Sequence, residues 1–398
     1  MSARRALGAI ALSLLVPASL VLVSATGSAT ETSGDSAAST SGRSSAQQTV
    51  RLVAWPQIVQ PGGRVASPDD AKAAFTATIE PIEAGRKVRL QLRRGSSWQT
   101  VATVSQNRAG RAEFAARASM NGQALTYRVK AASFRGLPSV KSSTVSTERW
   151  LTPTWTDEFS GDSLAKAWNY RGKTYEPQSL RRCSRGSSKA VRVGGGALRL
   201  SVLRDPSRLV TCPALRRGEI AGRYAYRLNG HIGTDNAFSF RYGVAAARIK
   251  FPQIRGQHGS FWMQPVGGMY PGGTGHEIDV TEFFGAKAKR SGLFSYIHRY
   301  EGGRIVKTGT TIPDTFLHGP RDGWGKNFHV FSVQWTPRTL IFRIDGKETW
   351  RIGGRISRVP QYLILSLLSS DYELPQIQDR QLPQHMYVDW VRVWETGG

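Results

Sequence analysis

Glu277, Asp279 and Glu282 fall within the segment His276-Glu-Ile-Asp-Val-Thr-Glu-Phe-Phe284. Side chains alternate faces along a regular strand, so Glu277 and Asp279 share one face and Glu282 takes the other. A single bulge between Asp279 and Glu282 absorbs one residue and returns Glu282 to the shared face. Three carboxylates then line one surface. Like charges that close cannot all ionise freely, and at least one pKa must rise. One ionised carboxylate beside one that keeps its proton is the pair that cleaves a glycosidic bond. The spacing alone leaves a second reading open, a solvated acidic strand paired with the chain's many arginines.

The elements around this segment are strands. Lys87-Val-Arg-Leu-Gln-Leu-Arg93 alternates strictly, Trp98 to Val104 follows after a Gly95–Ser97 turn, and Leu125 to Ala131 alternates again. Short strands at this spacing predict a small β-sandwich over 50–148. From 149 to 398 the pattern stays β. Ala197 to Leu203 and Phe238 to Tyr242 alternate, Thr339 to Asp345 runs into an Asp345-Gly346 hairpin turn, and Tyr387 to Trp394 supplies a last strand. No long amphipathic helix interrupts them. The predicted fold class is all-β, a large β-jelly-roll sandwich preceded by a small one.

Ahead of both, Arg4 and Arg5 precede an apolar stretch from Ala6 to Val23 and small residues through Ala29. Residues 1–29 therefore read as a signal peptide, cleaved after Ala25 or Ala29, with an uncleaved anchor as the alternative. Residues 30–49 are Ser-, Thr- and Ala-rich and read as a flexible linker. The expected product is secreted and extracellular, with no stable membrane insertion after cleavage.

The formal net charge of +26, from 54 basic and 28 acidic residues, attracts polyanions. The basic residues are spread along the chain, and no zinc-finger, helix-turn-helix or RNA-binding pattern gathers them, so nucleic acid is not the expected partner. An anionic cell-wall polymer fits an exported protein, as does a merely basic surface. Cys183 and Cys212 are the only cysteines. In an oxidising compartment such a pair favours a disulfide, and no histidine has metal-ligand spacing to either.

Taken together, "YGVAAARIKFPQIRGQHGSFWMQP", "GHEIDVTEFFG", "FHVFSVQWTPRTLIFRIDGKETW", "QYLILSLL" and "MYVDWVRVWE" resemble glycoside hydrolase family 16. The resemblance runs from about Asp157-Glu-Phe-Ser-Gly161 to the C-terminus. It implies a concave jelly roll, a polysaccharide substrate and a retaining mechanism. By position it makes Glu277 the nucleophile, Glu282 the general acid and then base, and Asp279 the group that tunes Glu277. In a retaining pair the carboxyl groups stand about 5–5.5 Å apart. The longer motif, with the extra Thr281, is similar to that of laminarinases and agarases.

The resemblance also points to Trp262 as a sugar-stacking tryptophan and His298 as a substrate contact. Tyr296, two residues earlier, shares the His298 face and contacts substrate or only packs. Where laminarinases commonly have Trp-Pro-Ala-Phe-Trp, this chain has His258-Gly-Ser-Phe-Trp262, which makes His258 the first platform. Ser366 stands where an asparagine is frequent. β-1,3-Glucan or mixed-linkage glucan is the leading substrate. A galactan hydrolase, a transglycosylase and a non-catalytic polysaccharide-binding protein of the same fold remain open. The chemistry requires no catalytic metal or other cofactor. The resemblance leaves room for a structural calcium with unnamed ligands, and the expected protein is a monomer. Residues 50–148 resemble the immunoglobulin-like accessory modules of secreted bacterial enzymes, which implies a spacer or adhesion module.

Overall fold

The computed structural model describes residues 47–286 and 292–397. The expected signal peptide, and the linker up to residue 46, lie outside the described residues. Among the described residues no helix is long and apolar enough to cross a membrane.

The alternation of Lys87–Arg94 is realised as expected. Val88, Leu90 and Leu92 are buried while Lys87, Arg89 and Arg93 are exposed. This strand pairs with Ser97–Ser105 and Thr126–Ala131. Thr49–Ala54, Ala73–Glu80 and Arg111–Ala116 make a second antiparallel sheet. Phe75 and Ile79 of that sheet share one apolar cluster with Val88, Leu90 and Tyr127 of the first.

Twelve of the remaining strands make one long antiparallel ribbon. Its hydrogen-bonded order is Arg304–Ile312, Leu293–Glu301, Glu277–Phe283, His258–Pro265, Gln361–Leu368, Arg227–Gly233, Ala197–Arg204, Gln384–Glu395, Gly243–Lys250, His329–Trp335, Thr339–Ile344 and Lys347–Gly353. Ile278, Met263 and Leu365 from the first half share one core with Ala245, Val391, Phe331 and Phe342 from the second. The ribbon therefore folds over on itself as an all-β jelly roll. The Asp345-Gly346 turn joins Thr339–Ile344 to Lys347–Gly353 as the sequence predicts. Asp345 adopts φ 46°, a left-handed value that aspartate tolerates better than most residues.

Gly243–Lys250 departs from alternation. Its GVAAARIK sequence is buried along seven positions because the strand is covered on both sides. Ala245, Ala247 and Ile249 face the jelly-roll core, whereas Val244 and Ala246 join the cluster of the N-terminal sandwich together with Val330, Trp390 and Trp394. Polar contacts reinforce this junction. The buried Arg248 guanidinium donates to the carbonyls of Gln60 at 2.6 Å and Arg64 at 3.1 Å, and pairs with Asp389. Trp390 Nε1 donates to Gln60 Oε1 at 2.7 Å. The first sandwich is thus no free spacer. It shares a hydrophobic face with the second.

Candidate active site

Strand Glu277–Phe283 turns Ile278, Val280 and Phe283 into the core. The register against Leu293–Glu301 pairs Asp279 with Tyr296 and Glu282 with Phe294, leaving Val280 and Thr281 opposite Ser295 alone. Against His258–Pro265, Thr281 pairs with Phe261 and Asp279 with Trp262, so the residue left without a partner is Val280 rather than Thr281. Ser295 Oγ donates to the Val280 carbonyl at 2.8 Å and holds the bulge. Glu277, Asp279 and Glu282 consequently share the face turned away from the core. Asp279 is buried, with 6% of its side chain exposed, whereas Glu277 and Glu282 retain 20% and 16%. A ligand can reach the outer two.

Their surroundings differ. Glu277 Oε2 accepts from Gln264 Nε2 at 2.9 Å. The Gln264 carbonyl oxygen in turn accepts from Tyr362 Oη at 2.8 Å and Arg171 Nη2 at 3.2 Å, which fixes which end of the amide meets Glu277. Arg171 is held by Asp235 at 3.0 Å. Glu282 Oε2, by contrast, has no hydrogen-bond partner among the described residues; the Lys307 ammonium lies 3.8 Å from it.

Between them, burial and then the charge of Glu282 push Asp279 up to about 7. The charge of Glu277 adds to this and the hydrogen bond from His298 opposes it. His298 Nε2 stands 3.2 Å from Asp279 Oδ2 and 3.9 Å from Glu277 Oε1. Burial works against a charged His298 ring. The bond to Asp279 and the two carboxylate charges outweigh it, so its pKa is raised.

Trp262 lies on the same open face, between the core residues Phe261 and Met263. Its Nε1 donates to Ser366 Oγ at 3.1 Å and its ring stacks on His231. Tyr296 is half-buried, stacked on Phe294 on one side, with the Lys307 ammonium 3.5 Å from its ring centroid. His258 corrects the expectation of a first platform. It is buried, its Nδ1 lies 2.8 Å from Glu373 Oε2, and its ring stacks on Phe284. With its face covered it positions Glu373 instead of offering a surface to sugar.

Cys183 and Cys212 form the expected disulfide, with Cα atoms 5.6 Å apart. Beside it Asp371 accepts from the backbone N–H groups of Cys183 and Leu215, which ties the loop carrying Glu373 to the disulfide.

Residues 201–392 match the sequence profile described as glycosyl hydrolases family 16. This segment is a glycosyl hydrolase family 16 domain. Glucan endo-1,3-beta-glucosidase A1 of Niallia circulans is 27% identical over 271 residues, which cover 61% of this chain and 37% of that protein. Keratan-sulfate endo-1,4-beta-galactosidase of Sphingobacterium multivorum is 27% identical over 183 residues, covering 43% and 40%. The chain thus spans well under half the length of either relative. The crystal structure of an endo-beta-1,3-glucanase from Pyrococcus furiosus aligns with a TM-score of 0.49 at 21% identity, covering 62% of this chain and 95% of that one.

Within the family 16 domain, Gln264, Tyr362 and Lys307 join the site without having been expected there. Gln264 was within reach of sequence reasoning, because it sits two residues after Trp262 and shares its face. Lys307 follows from the hairpin around Gly302-Gly303, whose register sets it opposite His298. Tyr362, and Arg171 from outside the domain, reach Gln264 from distant segments and carry no local signal. For the structural calcium that the resemblance leaves room for, which takes an all-oxygen ligand set, the described His, Cys, Asp and Glu side chains offer no matching group. The two groups that do converge, Glu277/Asp279/His298 and His318/Asp322/His329, each bring imidazole nitrogen.

The buried Asp279 makes a stability prediction. A carboxyl raised in the folded state contributes stability in full below its unfolded pKa, near about 3.9, and loses it as pH rises to about 7. Asp279→Asn is therefore expected to melt above the parent protein at pH 8, with the advantage shrinking toward pH 4. Thermal melts across that range check it; a difference that does not change with pH would contradict the raised Asp279.

Proposed function

We propose that this protein is an endo-acting β-glycan hydrolase working by double displacement, with β-1,3-glucan or mixed-linkage β-1,3(4)-glucan as substrate. The observation that carries the reading is the bulge that brings Glu277, Asp279 and Glu282 onto one accessible face. Glu277, oriented by Gln264, attacks the anomeric carbon. Glu282, whose buried Oε2 has no hydrogen-bond partner among the described residues, gives its proton to the leaving oxygen and then takes one from the incoming water. Buried Asp279, bonded to His298, sets the charge between them and touches no substrate. Trp262, pinned by Ser366, supplies a stacking surface for a sugar ring. The likeness to a glucan endo-1,3-beta-glucosidase supports the glucan assignment. The apolar segment from Ala6 to Val23 supports export, and the charge of +26 supports contact with anionic wall polymers.

A galactan is the second reading, favoured by Lys307 beside Glu282, by Arg171 behind Gln264 and by the likeness to a keratan-sulfate endo-1,4-beta-galactosidase. A reducing-end assay over laminarin, lichenan, agarose, carrageenan and keratan sulfate separates the two. Cleavage of laminarin or lichenan is expected. Cleavage of galactans alone would replace the glucan assignment, and binding without cleavage of any polymer would make the protein a lectin-like relative.

Gln264→Leu tests the positioning of Glu277. A hydrogen bond to a charged group contributes about 1.5–3 kcal/mol, so kcat should fall roughly 10- to 100-fold with little change in KM. An unchanged kcat would remove Gln264 from the machinery.

A further inference from the structure

Away from the carboxylate face, the loop leading into strand His329–Trp335 gathers a second set of donors. Ligand atoms of His318, Asp322 and His329 all lie within 4.8 Å of one another. His329 is fully buried, with Nε2 3.1 Å from Asp322 Oδ1 and Nδ1 2.8 Å from Asp345 Oδ2. His318 Nε2 stands 3.3 Å from the same Asp345 oxygen, and the two imidazole rings lie parallel. Asp345 is buried and Asp322 half-buried, with 2% and 6% of their side chains exposed, and among the described residues neither pairs with a lysine or arginine. Asp322 also accepts from the N–H groups of His318 at 2.7 Å and Gly323 at 2.8 Å and from Asn327 Nδ2 at 2.6 Å, and Asp345 accepts from the Val330 N–H at 3.0 Å. These donors are neutral, so among the described residues the two carboxylates lack the cationic side chain that little-exposed charge ordinarily finds.

We propose that His318, Asp322 and His329 bind a single divalent transition ion of the zinc type, with Asp345 fixing the His329 ring. Two imidazoles and a carboxylate match the donors that zinc takes in sites with one open position. The His329–Asp345 bond is the arrangement in which a ligating histidine gives its other ring N–H to a carboxylate. An ion replaces the Nε2 proton between His329 and Asp322. Its fourth position faces a hollow of about 630 Å3 lined by His318, Asp322 and Asn327 on one side and Pro61, Gly62 and Gly63 on the other. Gly62 pairs with Phe328 through reciprocal backbone hydrogen bonds, so the ion would clamp the loop where the two sandwiches meet. The site is separate from the carboxylate face and independent of the proposed hydrolysis.

The test uses protein free of any appended histidine tag, stripped with EDTA and titrated with ZnCl2 by calorimetry and thermal melting. One equivalent of Zn2+ should bind and raise the melting temperature, and Co2+ should give the strong visible bands of a tetrahedral site. His318→Ala and Asp322→Asn should each weaken binding at least about tenfold and remove the thermal shift. His298→Ala should bind as the parent does, which separates this site from the Glu277/Asp279/His298 group. Circular dichroism checks folding. If Asp322→Asn is unfolded, His318→Ala decides, because that side chain is 40% exposed. No binding by the parent, undiminished binding by His318→Ala, or loss in His298→Ala would each overturn the site.

Discussion

Glu277→Gln is expected to lower polysaccharide hydrolysis by about 10^4-fold or more while leaving the protein folded. Losing a covalent nucleophile is among the largest single-residue effects in catalysis. The substitution is nearly isosteric, and the new amide oxygen can still accept from Gln264 Nε2, which lies 2.9 Å from Glu277 Oε2. Melting temperature should therefore move little while kcat collapses. Glu277→Ala adds a stereochemical check. Azide or formate, small enough to enter the vacated space, should restore turnover of an activated glycoside and give a product of inverted anomeric configuration. Near-parental hydrolysis by Glu277→Gln would end the nucleophile assignment, and rescue with retained configuration would end the double-displacement reading.

The second large effect belongs to Glu282. Removing a general acid costs about 10²–10⁴-fold, and the cost depends on how much the leaving group needs its proton. Glu282→Gln should follow that range on polysaccharide. It should leave the first step nearly intact on an aryl glycoside whose phenolate departs unaided. Deglycosylation then lacks its base, so the glycosyl-enzyme should accumulate and KM should drop. Parallel losses of kcat/KM on both substrate types would show Glu282 to be structural. The environment argues against that, since its Oε2 bonds to nothing among the described residues and buried polar oxygens ordinarily find partners.

Much of the site was legible because strand periodicity is local. The offsets of Glu277, Asp279 and Glu282 demanded a bulge, and the register shows one. The same logic read the Asp345-Gly346 hairpin and the Lys87–Arg94 strand. It failed where the deciding contact is distant. His258 stands at a position where related sequences offer an aromatic face, and alternation correctly turns it outward. Only the approach of Glu373 and Phe284 shows that its ring is covered. The likeness of 50–148 to accessory modules suggested a spacer for the same reason. The small residues of Gly243–Lys250, which admit a second layer, carry their meaning only once that layer is known to be present.

That shared strand also fixes which way the molecule can look. The layers run from the N-terminal sandwich through Gly243–Lys250 and its neighbours to the core, and then to the strands bearing Glu277 and Glu282. The N-terminal sandwich thus backs onto the surface opposite the carboxylates. It cannot wall the groove in which a glycan would lie, nor swing round to feed it. Anything that sandwich grips would be held behind the enzyme, leaving the carboxylates pointed outward at a different strand of the polymer.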